Sequence, residues 1–465
     1  MADTLLWYDY ETSGTDVGFD RALQFAAVRT DLNLEPIEEP INLFCYPGED
    51  VFPDPVAMQV TGLKMRHVRE VGLSEFDFAR QIHEQFARPN TCVVGYNSIR
   101  FDDEFTRYLF YRNFFDPYAR EWQGGNSRWD VIDLFRMAAA LRPDGVSWPT
   151  RDNGAPSFKL ENLTAANGVG HEGAHDAVSD VLATIGMVKV LREAQPKLYD
   201  FNYNNRRKKA VLDMLYPLGK QPLVHVSSMY PASQHCLAVV LPITVHPTNP
   251  NGVICFDLSK DPGPLIELDP KQLHERIFTR QSGTNEPRIP LKTIHVNRCP
   301  AIAPMSTLQG SEARLNIDVE QCRQHQQQIQ QAPGIVEKIN EVFAQSDFPP
   351  TNDPDLMLYQ GEFFSAEDRQ AMQAVHESAA ETGGERLAGF SGQFRDPRLP
   401  EMLFRFRARN FPDSLDEEEA ERWQQFVTSK RESSLAVERQ GNLSSLLAES
   451  PEDPVLQDLA AYLGR

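Results

Sequence analysis

The chain has 465 residues, 41% of them hydrophobic and 24% charged, and 46 Lys+Arg against 66 Asp+Glu give a net charge of −20. This length predicts two or three domains, the composition is that of a soluble globular protein, and no apolar run reaches the ~20 residues of a membrane helix. The acidic balance argues against a protein that coats nucleic acid non-specifically, because long-range steering would be poor, but it leaves room for a catalytic site with a local basic groove.

Residues 1–10 run straight into a strand-like pattern without a basic segment or an apolar stretch ending in a cleavage site, so no signal peptide is expected. Residues 5–11 read as the opening strand, and 24–32 and 41–46 continue as an antiparallel meander. Asp9 and Glu11 stand two apart on that first strand, so their side chains point the same way. Like charges so placed either bind a divalent metal or lie solvated on an exposed edge.

Residues 76–86 have helical spacing, and 91–96 form a short apolar run suited to a buried strand. Residues 102–114, 129–141 and 176–194 are three further predicted helices. Asp102 and Asp103 stand where a strand leads into a helix. Both suit an N-cap, and for Asp102 a metal-binding role stays open beside it. Asp176 likewise suits a cap and His175 a loop. Asp180 falls on a helix turn that faces either solvent or the sheet, and a carboxylate facing the sheet wants a metal partner. Mixed strands and then alternating helices predict an α/β layer.

Beyond residue 195 the pattern changes. Short β-like runs at 223–226, 236–241, 253–258 and 292–296, separated by turn-forming stretches such as 246–252, predict a small barrel. A Gln-rich helix is expected over 319–344 and a Pro-rich linker over 348–354. Helices at 365–380 and 416–430 open on capping residues, Ser365 in one and Ser414 with Asp416 in the other. Residues 381–400 read as a Gly/Pro-punctuated loop. The six cysteines (Cys45, Cys92, Cys236, Cys255, Cys299, Cys322) form no CxxC pair, which suits a reducing cytoplasm and argues against a zinc ribbon.

Taken in order, D-x-E on the first strand, an Asp after a mid-domain strand and H-D-A-x-x-D late in the domain make a pattern. It resembles the proofreading-type 3′→5′ exonuclease superfamily, whose domain has an RNase H-like fold. Asn97-Ser-Ile-Arg-Phe-Asp-Asp-Glu104, Tyr111-Arg-Asn-Phe-Phe-Asp-Pro-Tyr118, Asn126-Ser-Arg-Trp-Asp130 and Ala408-Arg-Asn-Phe-Pro412 look like bacterial exonuclease I, the single-strand-specific deoxyribonuclease family, over essentially the whole chain. The resemblance implies an RNase H-like exonuclease domain at 1–195, an SH3-like domain with a helical extension at 196–348 and a C-terminal helical domain at 349–465.

It further implies that Asp9, Glu11, Asp102 and Asp180 bind two Mg²⁺ ions, with Mn²⁺ as substitute, and that His175 is the general base. The expected reaction is processive two-metal hydrolysis of single-stranded DNA from its 3′ end, releasing nucleoside 5′-monophosphates. The expected setting is DNA repair and recombination, in a cytoplasmic monomer. An RNA-trimming or proofreading exonuclease would share the five catalytic residues, and a non-catalytic single-strand-binding module would lack one of them. All five are present.

A single-strand binder needs cations for the backbone and aromatic rings for bases. Arg107, Arg112, Tyr118, Trp122, Arg128, Trp129, Arg136 and Arg142 offer that mixture within one stretch, or else fill core and solvated helix faces. The preferred strand contacts are Arg107, Tyr118, Trp122, Arg136 and Arg142, with Glu11 at the substrate end. Lys159 stands where the family often has Arg, which keeps a terminal-phosphate contact but not a bidentate fork. Phe201 and the basic run containing Lys208 lie where the first and second domains would meet. Relatives wrap the strand in a closed C shape, in which Phe404-Arg-Phe-Arg-Ala-Arg409 would be a basic-aromatic element or a helix interface. The family also implies binding of the C-terminal tail of single-stranded-DNA-binding protein, although residues 319–330 are less basic than that contact would want.

Overall fold

Strand β1 (Thr4–Thr12) is nearly all buried, and β2 (Ala22–Thr30) is buried at all nine positions, so the sheet they form is covered on both faces. They pair antiparallel from Leu5↔Thr30 to Glu11↔Gln24, with an irregularity after Glu11. Strand β3 (Ile41–Phe44) continues the antiparallel side. Strand β4 (Thr91–Gly95) pairs with β1 in parallel, Thr4↔Thr91 to Trp7↔Val94. A parallel neighbour requires a crossover, which the helices Pro55–Thr61, Met65–Val71 and Glu75–Phe86 supply. The order is β3-β2-β1-β4-β5, with β5 at Ser127–Asp130.

The computed structural model describes residues 3–171, 176–278, 288–344 and 351–464. These fall into two compact units, one of Met1–Ser127, His171–Leu182 and Pro349–Arg465, the other of Arg128–Gly170 and Ala183–Phe348. Among the described residues no helix is long and apolar enough to cross a membrane.

The first unit joins the sheet to the C-terminal helices through one core. Tyr8, Tyr10, Phe25, Phe78, Phe86 and Phe110 belong to the same buried cluster as Met372, Val375, Leu399, Met402, Leu403 and Phe406. The Phe404–Arg409 segment lies within the helix Leu399–Asn410, with Phe404 and Phe406 buried, so the helix-interface alternative is the one realised. Its arginines are held by carboxylates. Arg409 Nη2 donates to Asp50 at 2.9 Å and to Asp355 at 2.5 Å, and Arg405 Nη1 donates to Asp355 at 3.1 Å. Nearby, Arg112 Nη2 donates to Glu75 at 2.7 Å, and Arg21 lies 3.5 Å from the same oxygen. Burial alone would raise the Asp50, Glu75 and Asp355 carboxyls. The guanidinium groups of Arg409, Arg112, Arg21 and Arg405 overcome it and hold all three below the usual carboxylate range.

The second unit contains an all-antiparallel sheet of order β10-β6-β7-β8-β9. Its strands are β6 (Leu223–Val226), β7 (Leu237–Val245), β8 (Gly252–Asp257), β9 (Leu291–His295) and β10 (Ala301–Pro304). They close on a core that includes Val211, Leu223, Val240, Cys255, Ile294 and Ile302.

Two expected helices come out differently. Trp129 sits on β5 and not on a helix: Asp130 Oδ1 accepts the Ile132 N–H at 3.1 Å, so the helix begins only at Ile132 (Ile132–Leu141). The Gln-rich stretch is two helices, Val319–Gln331 and Ile335–Phe343. Pro333 cannot continue the first, and Gly334, at φ +68°, turns the chain into the second.

Candidate active site

Because β1 alternates, Tyr8 and Tyr10 point into the core, and Asp9 and Glu11 point together to the other face. The helix Ala177–Ala194 brings Asp180 to them from its first turn. One carboxylate oxygen from each of Asp9, Glu11 and Asp180 lies within 4.8 Å of the others. Asp102 opens the helix Asp102–Arg112, is buried, and accepts the Tyr10 N–H at 3.2 Å. It stands outside that tight trio, yet Asp9 is the strongest charge acting on it.

The electrostatics are those of crowded acids. Burial, then Asp180, push the Asp9 carboxyl up to about 8. Burial, then Asp9, Asp180 and Asp176, push Glu11 up to about 9. Burial and the Asp9 charge likewise hold Asp102 well above the usual range. Carboxylates packed this way cannot all ionise near neutral pH without a compensating cation. Their oxygens are hard donors suited to a divalent ion that keeps part of its hydration. The residues present therefore fit the metal that the motif implies.

Asp176 and Asp103, both expected as helix caps, differ in role. Asp176 caps its helix, accepting the Ser179 N–H at 3.2 Å. Asp103 is not the N-cap, a place that Phe101 takes, and its Oδ1 accepts from Tyr8 Oη at 2.9 Å and Arg120 Nη2 at 2.6 Å. That corrects the N-cap expectation, and the reason is burial, since Asp103 is only 1% exposed and needs a cation. His175 lies outside the described residues. His171, which the sequence reading passes over, has its Nε2 hydrogen-bonded to Asp180 Oδ1. The only signal for it was a second imidazole four residues before His175 in the sequence.

The expected strand contacts divide by burial. In the first unit Arg107 is buried, lying 2.9 Å from both Glu104 and Glu121 and donating to Tyr359 Oη at 3.0 Å. Its guanidinium also covers the half-buried Tyr118 ring at 5.4 Å, and Trp122 is 68% exposed. In the second unit Arg136 is buried and bonded to Asp133 at 2.6 Å. It lines a cavity of about 520 Å³ with buried Phe158 and exposed Arg151, Lys159 and Met229. Arg142 is exposed, with Nη1 on the Thr307 carbonyl at 3.1 Å; Phe201 is half-buried; Lys208 is exposed and reaches Asn251 at 2.6 Å. Arg128 and Trp129 belong to the interior, bonded to the Asn297 carbonyl and to Asn202, each at 2.7 Å. Arg112 is taken by Glu75.

Comparison with known proteins adds independent findings. Family models match residues 6–188 as an exonuclease, 206–345 as the exonuclease I SH3-like domain and 352–463 as the exonuclease I C-terminal domain. Exodeoxyribonuclease I of Escherichia coli K12 is 44% identical, over 90% of this chain and 88% of its own length. A solved exonuclease I from Methylocaldum szegediense is 45% identical, with a TM-score of 0.93 over 99% of both chains. The E. coli exonuclease I structure in complex with an oligonucleotide is 40% identical, with a TM-score of 0.94 over 99% of both chains. Other similar structures are a zinc-bound form of the E. coli complex with single-stranded DNA and an SSB/exonuclease I complex. With identity and coverage of this order along the whole chain, and the acidic trio in place, this chain belongs to the exonuclease I family.

Proposed function

We propose that the chain is a metal-dependent exodeoxyribonuclease that removes nucleoside 5′-monophosphates from the 3′ end of single-stranded DNA. The observation that carries this reading is the convergence of Asp9, Glu11 and Asp180 within 4.8 Å, in a chain whose relatives are exodeoxyribonucleases. Asp9, Glu11 and Asp180 would hold Mg²⁺, with Asp102 completing the acidic set. Mg²⁺ bound there supplies positive charge that eases deprotonation of a water and offsets charge on the phosphate and the leaving 3′ oxygen.

The remaining work falls to side chains. His175 is the proton acceptor for the attacking water. His171 orients Asp180 through its hydrogen bond. Each unit offers its own contacts to a strand: Tyr118 and Trp122 in the first, and Lys159, Arg142, Phe201 and Lys208 in the second. Arg107 and Arg136 are buried and ion-paired, so they shape these surfaces and present at most part of a guanidinium edge. An SSB complex among the similar structures supports that protein as a partner, and a reducing cytoplasm is the compartment that suits the scattered cysteines.

Side-by-side digestion of end-labelled single-stranded DNA, RNA and duplex with and without Mg²⁺ tests the reading. Mononucleotides should leave a 3′-labelled single strand at once, only with metal. Asp9→Ala and His175→Ala should each lower turnover by orders of magnitude while strand binding persists. Preference for RNA would reject the substrate, and full activity in Asp9→Ala would reject the metal assignment.

A further inference from the structure

The Tyr8–Asp103–Arg120 group is a buried ionic cluster that the chemistry above does not use. Its three members are 3%, 1% and 2% exposed. One oxygen, Asp103 Oδ1, receives both the Tyr8 hydroxyl at 2.9 Å and Arg120 Nη2 at 2.6 Å. Arg120 also lies over the Phe86 ring at 5.0 Å, which leaves the pair little freedom to move. A plain stabilising salt bridge is the simplest account, but buried pairs are poor stabilisers compared with apolar packing.

Position in the chain says more. Tyr8 is the neighbour of Asp9, and Asp103 is the neighbour of Asp102. A second tie lies beside the first: the Tyr10 and Thr106 hydroxyls are 3.2 Å apart, and the Tyr10 N–H donates to Asp102 at 3.2 Å. Asp9 and Asp102 repel, so an unanchored helix would relieve the repulsion by shifting its first turn away from β1. A site that binds metal tightly is held in place before the metal arrives.

We propose that Asp103, gripped by Tyr8 and Arg120, is a positioning residue that fixes the first turn of the Asp102 helix against β1 and so holds Asp9 and Asp102 where divalent cations bind. This rests on the metal-site reading above. The assignment makes Tyr8 a determinant of metal affinity although its ring points away from the site.

The test is direct Mn²⁺ binding to the full chain, followed by electron paramagnetic resonance, in wild type, Tyr8→Phe, Asp103→Asn, Asp9→Asn and Thr30→Val. Thr30→Val deletes another buried bond between β1 and β2, the 3.0 Å contact from Trp7 Nε1 to a residue paired with Leu5, which does not touch the Asp102 helix. Tyr8→Phe should raise the Mn²⁺ dissociation constant about tenfold and Asp103→Asn at least as much, whereas Thr30→Val should stay within twofold. The Mg²⁺ concentration for half-maximal nuclease activity should rise in parallel, with maximal rate largely recovered at high Mg²⁺. Asp103→Asn leaves Arg120 unpaired and can misfold, so Tyr8→Phe decides. A folded Tyr8→Phe that binds Mn²⁺ like wild type overturns the proposal alone. A wild type that binds no Mn²⁺, or an Asp9→Asn that binds it equally well, overturns the metal reading and this proposal with it.

Discussion

Replacing Arg409 by Met should cut the bond between the N-terminal sheet region and the C-terminal helices of the first unit. Arg409 donates to Asp50 through Nε at 3.1 Å and Nη2 at 2.9 Å, and to Asp355 at 2.5 Å. The three side chains are 4%, 2% and 6% exposed. Met keeps most of the apolar stem but strands two carboxylates. Asp50 is left with Arg21 at 3.6 Å and Asp355 with Arg405 at 3.1 Å. Removing one partner of a buried pair costs about 3–5 kcal/mol, which at roughly 2–4 °C per kcal/mol lowers the melting temperature by about 6–20 °C. Arg66→Met is the reference: its 3.6 Å pair with Asp458 has an arginine side chain 73% exposed, so the loss should stay below about 1 kcal/mol. Acid gives a second handle. The Asp50 and Asp355 carboxyls are held below their unfolded values, so their contribution is present above about pH 4 and is lost as pH falls further. The deficit of Arg409→Met should therefore narrow between pH 7 and pH 3. Circular-dichroism melts of the three proteins at both pH values decide the matter. Equal midpoints for the two variants, or a deficit that widens in acid, would refute the argument.

In the presence of a chelator, stability should fall as pH rises from about 4 toward 9, because the folded chain holds the Asp9 and Glu11 protons up to about 8 and about 9 whereas the unfolded chain releases them near 4. Scanning fluorimetry should show Mg²⁺ abolishing that fall and Asp9→Asn reducing it. His83 is pushed down to about 4 by burial and then by His376. Its contribution should be complete above about pH 6.5 and lost toward pH 4, so His83→Phe should flatten that limb of the pH–stability curve. Gly72→Ala should destabilise by about 1–3 kcal/mol, since a Cβ there would stand 2.3 Å from the Val68 carbonyl oxygen and 2.6 Å from the Tyr46 nitrogen, both backbone atoms; a urea midpoint equal to wild type would contradict this.

The acidic centre was legible because its signals are local. A strand's two-residue period puts Asp9 and Glu11 on one face, Asp102 opens a helix, and Asp180 stands in the first turn of another. Asp103 was not legible as an anchor: its partners are 95 and 17 residues away, while a helix start offers the nearer explanation of a cap. The same limit hid the merging of the C-terminal helices with the first core. Phe76 meets Phe406 edge-on at 5.3 Å, and its N–H is taken by Asn410 at 2.9 Å, yet neither segment carries a mark of the other. Arg107 and Arg136 show how charge misleads, since a solvated arginine and one paired in the interior read alike in sequence. The break at Pro333-Gly334, by contrast, is written in the chain, and a reading of 319–344 as one helix passes over it.

Anomalous diffraction from crystals soaked in Mn²⁺ tests the central claim most directly. Peaks should lie within bonding distance of Asp9, Glu11 and Asp180 carboxylate oxygens and vanish in Asp9→Asn. Peaks elsewhere, or none at this trio at saturating Mn²⁺, would contradict it.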